Sequence, residues 1–138
     1  TVLEPRVASE PAVAMVLRNT DPAVGSVLHV SHNQTTTSAN NGTPINVPDL
    51  SVIEDDCLTI AVVTYQSQCS DFSTYDPNGD GGWTRRVFSV TTIGSDQTLA
   101  VYTKLQTTAT VVQADTLTIT GQATGFTARA ISLAIRPN

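Results

Sequence analysis

The sequence has few charged residues and no long apolar run. Only 14% of its 138 residues are charged, and its seven lysines and arginines are scattered along the chain. Nucleic-acid binding needs basic residues concentrated on one face. No apolar stretch approaches the roughly 20 residues that cross a bilayer, and the first ten residues, TVLEPRVASE, lack the basic start and apolar block of a signal peptide. We therefore predict no nucleic-acid partner, no membrane partner and synthesis in the cytoplasm.

Cysteine is scarce as well. The two cysteines, Cys57 and Cys69, are twelve positions apart, and neither belongs to the paired Cys/His spacing of a structural zinc site. Two interpretations stay open. A disulfide between them would close a short loop and stabilise the fold by about 3 kcal/mol, whereas a protein assembled in a reducing cytosol more often keeps such residues as buried thiols.

Catalytic motifs are also missing. The chain has no Gly-x-Ser-x-Gly elbow, no phosphate-binding glycine loop and no His-Glu-x-x-His motif. Glu54, Asp55 and Asp56 could supply an acid and a base, but three adjacent acids before a strand are more typical of a solvated turn. His29 and His32 fit a solvated strand end better than a metal site. We predict that the protein is not an enzyme and holds no cofactor.

Alternation of apolar and polar residues is abundant. Segments rich in Val, Ile and Thr with a period of two predict strands. In the last of them, aliphatic residues from Ile131 to Ile135 alternate with small residues from Ala130 to Ala134, as in a strand with one face on a core. The five predicted strands are CLTIAVVTY (57–65), RRVFSVTTI (85–93), TLAVYTKLQ (98–106), DTLTITG (115–121) and ARAISLAIR (128–136).

The first half of the chain is less regular. VAMVLR (13–18) and SVLHV (26–30) are predicted strands, and TPINVPDL (43–50) is an extended segment interrupted by two prolines. The polar stretch SHNQTTTSANNGT (31–43) has no apolar period, which predicts a long surface loop or a projecting arm.

Seven or eight strands joined by turn sequences predict an all-β fold, an antiparallel β-sandwich with an irregular N-terminal segment. One of the predicted turns is QTTATVVQAD (106–115). We divide the chain into an N-terminal part, 1–43, with strands and a polar loop that contacts a partner, and a main sandwich, 44–138, both within one compact domain.

The sequence YDPNGDGGWTRR raises the question of a calcium loop. Asp76, Asn78 and Asp80 reproduce the first half of such a loop. The twelfth position from Asp76, where a bidentate carboxylate is needed, is Val87, and the chain from Thr84 onward has a strand pattern rather than a helical one. We predict that the segment is a turn and that the metal site is absent. A partial calcium site made by these three side chains is the alternative.

Four short elements occur in order along the second half of the chain. They are acidic Asp55 and Asp56 before Leu58, then Gly82-Trp83-Thr84, then Tyr102-x-Lys104, and last the alternating strand from Ala130 to Arg136. Together they resemble a domain that recurs in virion proteins of tailed bacteriophages, and the resemblance covers residues 44–138, about two-thirds of the chain.

The resemblance implies a jelly-roll-like sandwich on the virion surface. The role that it favours is a capsid cement protein that bridges shell subunits, with the major capsid protein and copies of itself as partners, as a homotrimer. Val2, Leu3 and Val7 are then the expected partner contacts, because apolar residues outside a sandwich need a covering surface. The alternative is a fibre or receptor-binding module in which Tyr75 and Trp83 stack on the sugar rings of host glycans.

Overall fold

The computed structural model describes residues 28–72, 82–92, 96–112, 115–121 and 125–136. This part of the chain is built from strands, and it contains no helix that could cross a membrane. The strands in chain order are β1 (Leu28–Ala39), β2 (Pro44–Val47), β3 (Leu50–Val52), β4 (Cys57–Tyr65), β5 (Asp71–Phe72), β6 (Thr84–Thr91), β7 (Gln97–Gln106), β8 (Thr110–Val112), β9 (Asp115–Thr120) and β10 (Phe126–Ile135).

The strands form two layers. One layer is a five-stranded antiparallel sheet in the order β1-β10-β4-β7-β6. The other consists of a three-stranded sheet, β2-β9-β5, and a two-stranded sheet, β3-β8, whose strands are also antiparallel. The predicted all-β antiparallel sandwich is therefore confirmed. The jelly-roll arrangement stays a prediction.

The core lies between the two layers and is built from residues of unequal size. The five-stranded sheet contributes mostly small side chains, whereas the opposite layer contributes large ones, so that small residues of one layer face large residues of the other. On the small side are Ala61, Ala100, Ala128 and Ala130, and on the large side are Ile45, Val47, Phe72, Leu117 and Ile119, all at most 1% exposed.

The alternation predicted for the last strand is present in β10. Its small residues, including Ala130 and Ala134, face the core, while Ile131 on the opposite face is 44% exposed. Ser132 belongs to the buried face, and its hydroxyl donates a hydrogen bond of 2.8 Å to the carbonyl of Pro48 between β2 and β3. The small face of β10 is therefore the one packed against the second layer.

The polar stretch 31–43 is not the predicted loop, because residues up to Ala39 continue β1. Residues Val30–Thr36 pair one-to-one with Ala134–Ala128 of β10. Threonine is a good strand former, and backbone hydrogen bonds to β10 hold this polar stretch as a strand although it has no apolar period of its own. The predicted turn 106–115 is wrong in the same way, since it contains β8, which pairs with β3.

Both cysteines are buried free thiols, which decides between the two interpretations left open by the sequence. Burial raises the pKa of the Cys57 and Cys69 thiols. The backbone N–H of Cys69 donates to the Thr98 hydroxyl at 3.1 Å, and that hydroxyl donates to the Ser67 carbonyl at 2.8 Å. The buried Thr98 hydroxyl therefore stabilises the turn that follows β4 through these two hydrogen bonds.

Candidate functional site

Several predicted site residues lie outside the described part of the chain. These are the proposed cation ligands Asp76, Asn78 and Asp80, the glycan-stacking Tyr75, and the partner contacts Val2, Leu3 and Val7. Within the described ranges, no three His, Cys, Asp or Glu side chains come together in a group that could hold a metal ion. The partial calcium site, the glycan contacts of Tyr75 and the N-terminal contacts therefore stay predictions.

Trp83, by contrast, is described, and it lies directly before β6. Its side chain is half-buried and packs against two core clusters. The smaller of these clusters consists of Leu50, Val52, Cys57 and Ala134. The indole ring therefore connects this smaller cluster to the main core cluster. Whether its remaining surface stacks on a sugar stays a prediction.

The Gly82-Trp83-Thr84 and Tyr102-x-Lys104 elements meet in the structure. Thr84 pairs with Thr103 and Arg85 with Tyr102 in the β6–β7 ladder. Gly82 has a φ of +89°, and a Cβ atom placed there would lie 3.5 Å from Cε of Lys104. A positive φ is accessible to glycine at little cost. The lysine stem therefore runs along the backbone that leads into Trp83, and the two elements support one local structure.

Arg85 connects the two layers at the β6 edge. Its guanidinium forms an ion pair with Asp71 of β5 and lies over the Phe88 ring, 5.0 Å from the ring centroid. The hydrogen bond to Asp71 raises the pKa of Arg85. Burial raises the pKa of the neighbouring Tyr102 hydroxyl, and the positive charge of Arg85 opposes part of that effect. Arg86 has a different partner, because its Nε donates to the Thr103 hydroxyl at 2.8 Å.

The acidic residues before β4 each have their own place in the turn that they form. Asp55 accepts a 2.6 Å hydrogen bond from the backbone N–H of Ala109. This bond links the turn before β4 to the turn before β8. Glu54 pairs with Arg136 at 3.3 Å. Asp56 adopts a φ of +57°, which makes the tight bend into β4. This arrangement agrees with the turn role favoured by the sequence.

The outer face of the five-stranded sheet is the feature that sequence reasoning missed. Solvent-facing sides of antiparallel sheets are usually polar, but here an apolar cluster lies on the side turned away from the second layer, with three of its members buried and four partly buried. We call it the outer apolar face. Its members all come from β4, β6, β7 and β10, and they are Leu58, Ile60, Val62, Val87, Val101, Leu133 and Ile135.

Two exposed side chains extend the outer apolar face. Ile131 is 44% exposed and is paired with Val62, which has Val101 on its other side. Leu105 is 59% exposed and is paired with Leu58. The rest of this face is buried or partly buried, with Ile60, Val101 and Ile135 at most 7% exposed. Ile131 and Leu105 are therefore the apolar side chains of this face that another surface could cover. A signal was present in CLTIAVVTY, whose even-numbered residues are at least as apolar as its odd-numbered ones.

Comparison with known proteins gives no match, whether with family models, with curated proteins or with solved structures. The four elements of the phage-domain resemblance nevertheless have a common location. The Leu58 element opens β4, the Trp83 element opens β6, the Tyr102 element lies in β7 and the alternating strand is β10. These four strands are neighbours in the five-stranded sheet.

Replacing Trp83 with alanine is expected to lower the free energy of unfolding by about 3 kcal/mol, because the variant loses a ring that packs against both core clusters. Trp83→Phe, the matched control, keeps an aromatic ring and should lose much less. Urea denaturation of both variants measures the difference. If Trp83→Ala instead unfolded like the wild type but lost binding on a glycan array, the ring would be a ligand contact.

Proposed function

We propose that this protein is a structural virion protein of a tailed bacteriophage, a capsid cement protein that bridges and stabilises shell subunits. The observation that carries the proposal is the exposure of two large apolar side chains, Ile131 and Leu105, on the outer apolar face. The phage-domain resemblance supplies the kind of partner: the major capsid protein, with further copies of this chain, as trimers, on the virion surface.

A sheet face is suited to this task because its side chains are held in place by backbone hydrogen bonds on four adjoining strands. Burying one exposed aliphatic side chain contributes roughly 1.5–3 kcal/mol before the cost of association is subtracted, and Ile131 and Leu105 are already partly buried. One copy would therefore bind weakly. On a closed lattice, however, copies that also contact one another act together, and their combined binding is much stronger than that of a single copy.

The surroundings of Trp83 support the cement role over the glycan role. Its ring packs against both core clusters, and Gly82 and Lys104 hold the backbone next to it. The residues of the resemblance thus contribute to the rigidity of the sheet that carries the outer apolar face. Val2, Leu3 and Val7 would provide a second contact with the shell.

The test uses capsids that lack this protein, with the purified chain added back. The wild type should bind these capsids and raise the temperature at which they release their genome. Ile131→Asn should abolish binding, because it places an amide in the outer apolar face, which the shell would have to desolvate. Ile53→Asn is the matched control. Ile53 is 74% exposed but follows β3 in the other layer, so this variant should bind normally.

Two results would contradict the proposal. Equal binding by both asparagine variants would remove the outer apolar face from the interface. Capsids of unchanged stability combined with loss of adsorption to host cells would instead identify a receptor-binding module.

A further inference from the structure

Charge is divided unevenly between the two layers of the described structure. The chain has a net charge of −5, yet the strands of the five-stranded sheet contain no aspartate or glutamate. Their charged residues are all basic, and they are Arg85, Arg86, Lys104 and Arg129. The acidic residues of the described ranges lie in turns or in strands of the second layer, and they are Asp49, Glu54, Asp55, Asp56, Asp71, Asp96 and Asp115.

Two of these basic residues lie on the outer apolar face. Thr103 belongs to this face, because it pairs directly with Ile60 in the β4–β7 ladder and directly opposed residues share a face of a sheet. Arg86 reaches the same position, since its Nε donates to the Thr103 hydroxyl. Arg129 lies two residues before Ile131 in β10, which places both on one side of the strand. Both arginines are exposed.

Neither arginine is neutralised within the described part of the chain. Arg85 and Arg136 each form an ion pair with an acidic residue. The hydrogen bond from Arg86 instead goes to a neutral hydroxyl, and Arg129 forms no ion pair with a described residue. Burying an unpaired charge costs much more free energy than burying a paired one. A surface that covers these two arginines must therefore supply negative charges of its own.

Each arginine accompanies one of the exposed aliphatic side chains of the outer apolar face. Arg129 is two residues from Ile131 in β10. Arg86 binds Thr103, which is two residues from Leu105 in β7. Since β4 lies between β10 and β7, the two pairs are on opposite sides of the buried centre of this face. A complementary surface therefore presents carboxylates together with apolar side chains.

We propose that the outer apolar face docks an acidic surface of the major capsid protein, whose carboxylates pair with Arg86 and Arg129 while its apolar side chains cover Leu105 and Ile131. This inference rests on the proposed function and adds the chemistry of the partner. The exposed aliphatic side chains favour a protein over a nucleic acid, whose phosphates would leave them uncovered. A second copy is disfavoured, because a symmetric contact between two such faces places arginines against arginines.

The test compares two double variants of equal net charge in binding to capsids that lack this protein. Arg86→Gln with Arg129→Gln removes two positive charges from the outer apolar face. Asn46→Asp with Ser51→Glu adds two negative charges at exposed positions of the second layer. The glutamine variant should bind roughly tenfold more weakly at low salt, because it loses two interfacial charge pairs, and its binding should depend little on salt. The second-layer variant should bind like the wild type.

A charge-preserving variant, Arg86→Lys with Arg129→Lys, should retain most of the binding, which separates loss of charge from loss of packing. If the wild type and the glutamine variant bound capsids equally at every salt concentration, this inference would be overturned while the cement role stood. If the wild type did not bind capsids at all, both would be overturned. Analytical ultracentrifugation examines the second copy: a self-associated form present in the wild type and lost in the glutamine variant would overturn the capsid protein as the occupant.

Discussion

Tyr65→Ala is expected to lower the free energy of unfolding by about 4 kcal/mol, a large part of the stability of a domain of this size. Tyr65 is 1% exposed, and its ring packs edge-on against Phe126, with the centroids 6.1 Å apart. Its hydroxyl donates a 2.9 Å hydrogen bond to the carbonyl of Ala39, the last residue of β1. The substitution therefore removes core volume and the link between β4 and the end of β1.

The matched control is Tyr65→Phe, which keeps the ring and removes only the hydroxyl. It should cost about 1–2 kcal/mol, because the buried carbonyl of Ala39 loses this donor. Urea denaturation followed by far-UV circular dichroism gives both values. The interpretation fails if the phenylalanine variant is as unstable as the alanine variant, or if neither differs from the wild type.

Ala130→Leu is expected to cost about 3 kcal/mol, because it inserts a large side chain where the five-stranded sheet approaches the second layer. Ala130 is 1% exposed and lies in the main core cluster with large residues of the opposite layer, such as Ile45 and Leu117. The layers would have to separate or the leucine would have to adopt a strained rotamer.

Its control is the adjacent position on the other face, where Ile131→Leu conserves volume and should cost less than about 1 kcal/mol. Thermal unfolding of the two variants compares the faces of β10 directly. If Ile131→Leu lowered the thermal midpoint more than Ala130→Leu, the assignment of the core-facing side of β10 would be wrong.

Strands with a clear period were predictable because their local pattern and their tertiary environment agree. The predicted segment 57–65 is β4 to the residue, and 98–106 differs from β7 by one residue at its start. β1 was not predictable beyond its first residues, because 31–38 are polar throughout. They become a strand through backbone pairing with β10, which lies at the far end of the sequence.

Alternation also leaves open which face of a strand is buried. In β10 both faces are apolar, and general experience would place the aliphatic residues inside. The alanines face the core instead, because the opposite layer already supplies large side chains such as Phe72 and Ile119. Such complementarity between layers depends on strand order, which the sequence does not reveal locally. The outer apolar face was missed for the same reason. The cation loop and the N-terminal contacts lie outside the described residues.

The position of β10 has a consequence for how the protein folds. This strand follows all the other described strands in sequence, yet it lies between β1 and β4 in the sheet. β1 has no other described partner for its ladder, so the described sheet cannot close until β10 has been synthesised. Pairing strands so distant in sequence requires a large loss of chain entropy. We therefore expect slow folding, with β4 and β7 exposed to aggregation until β10 has paired.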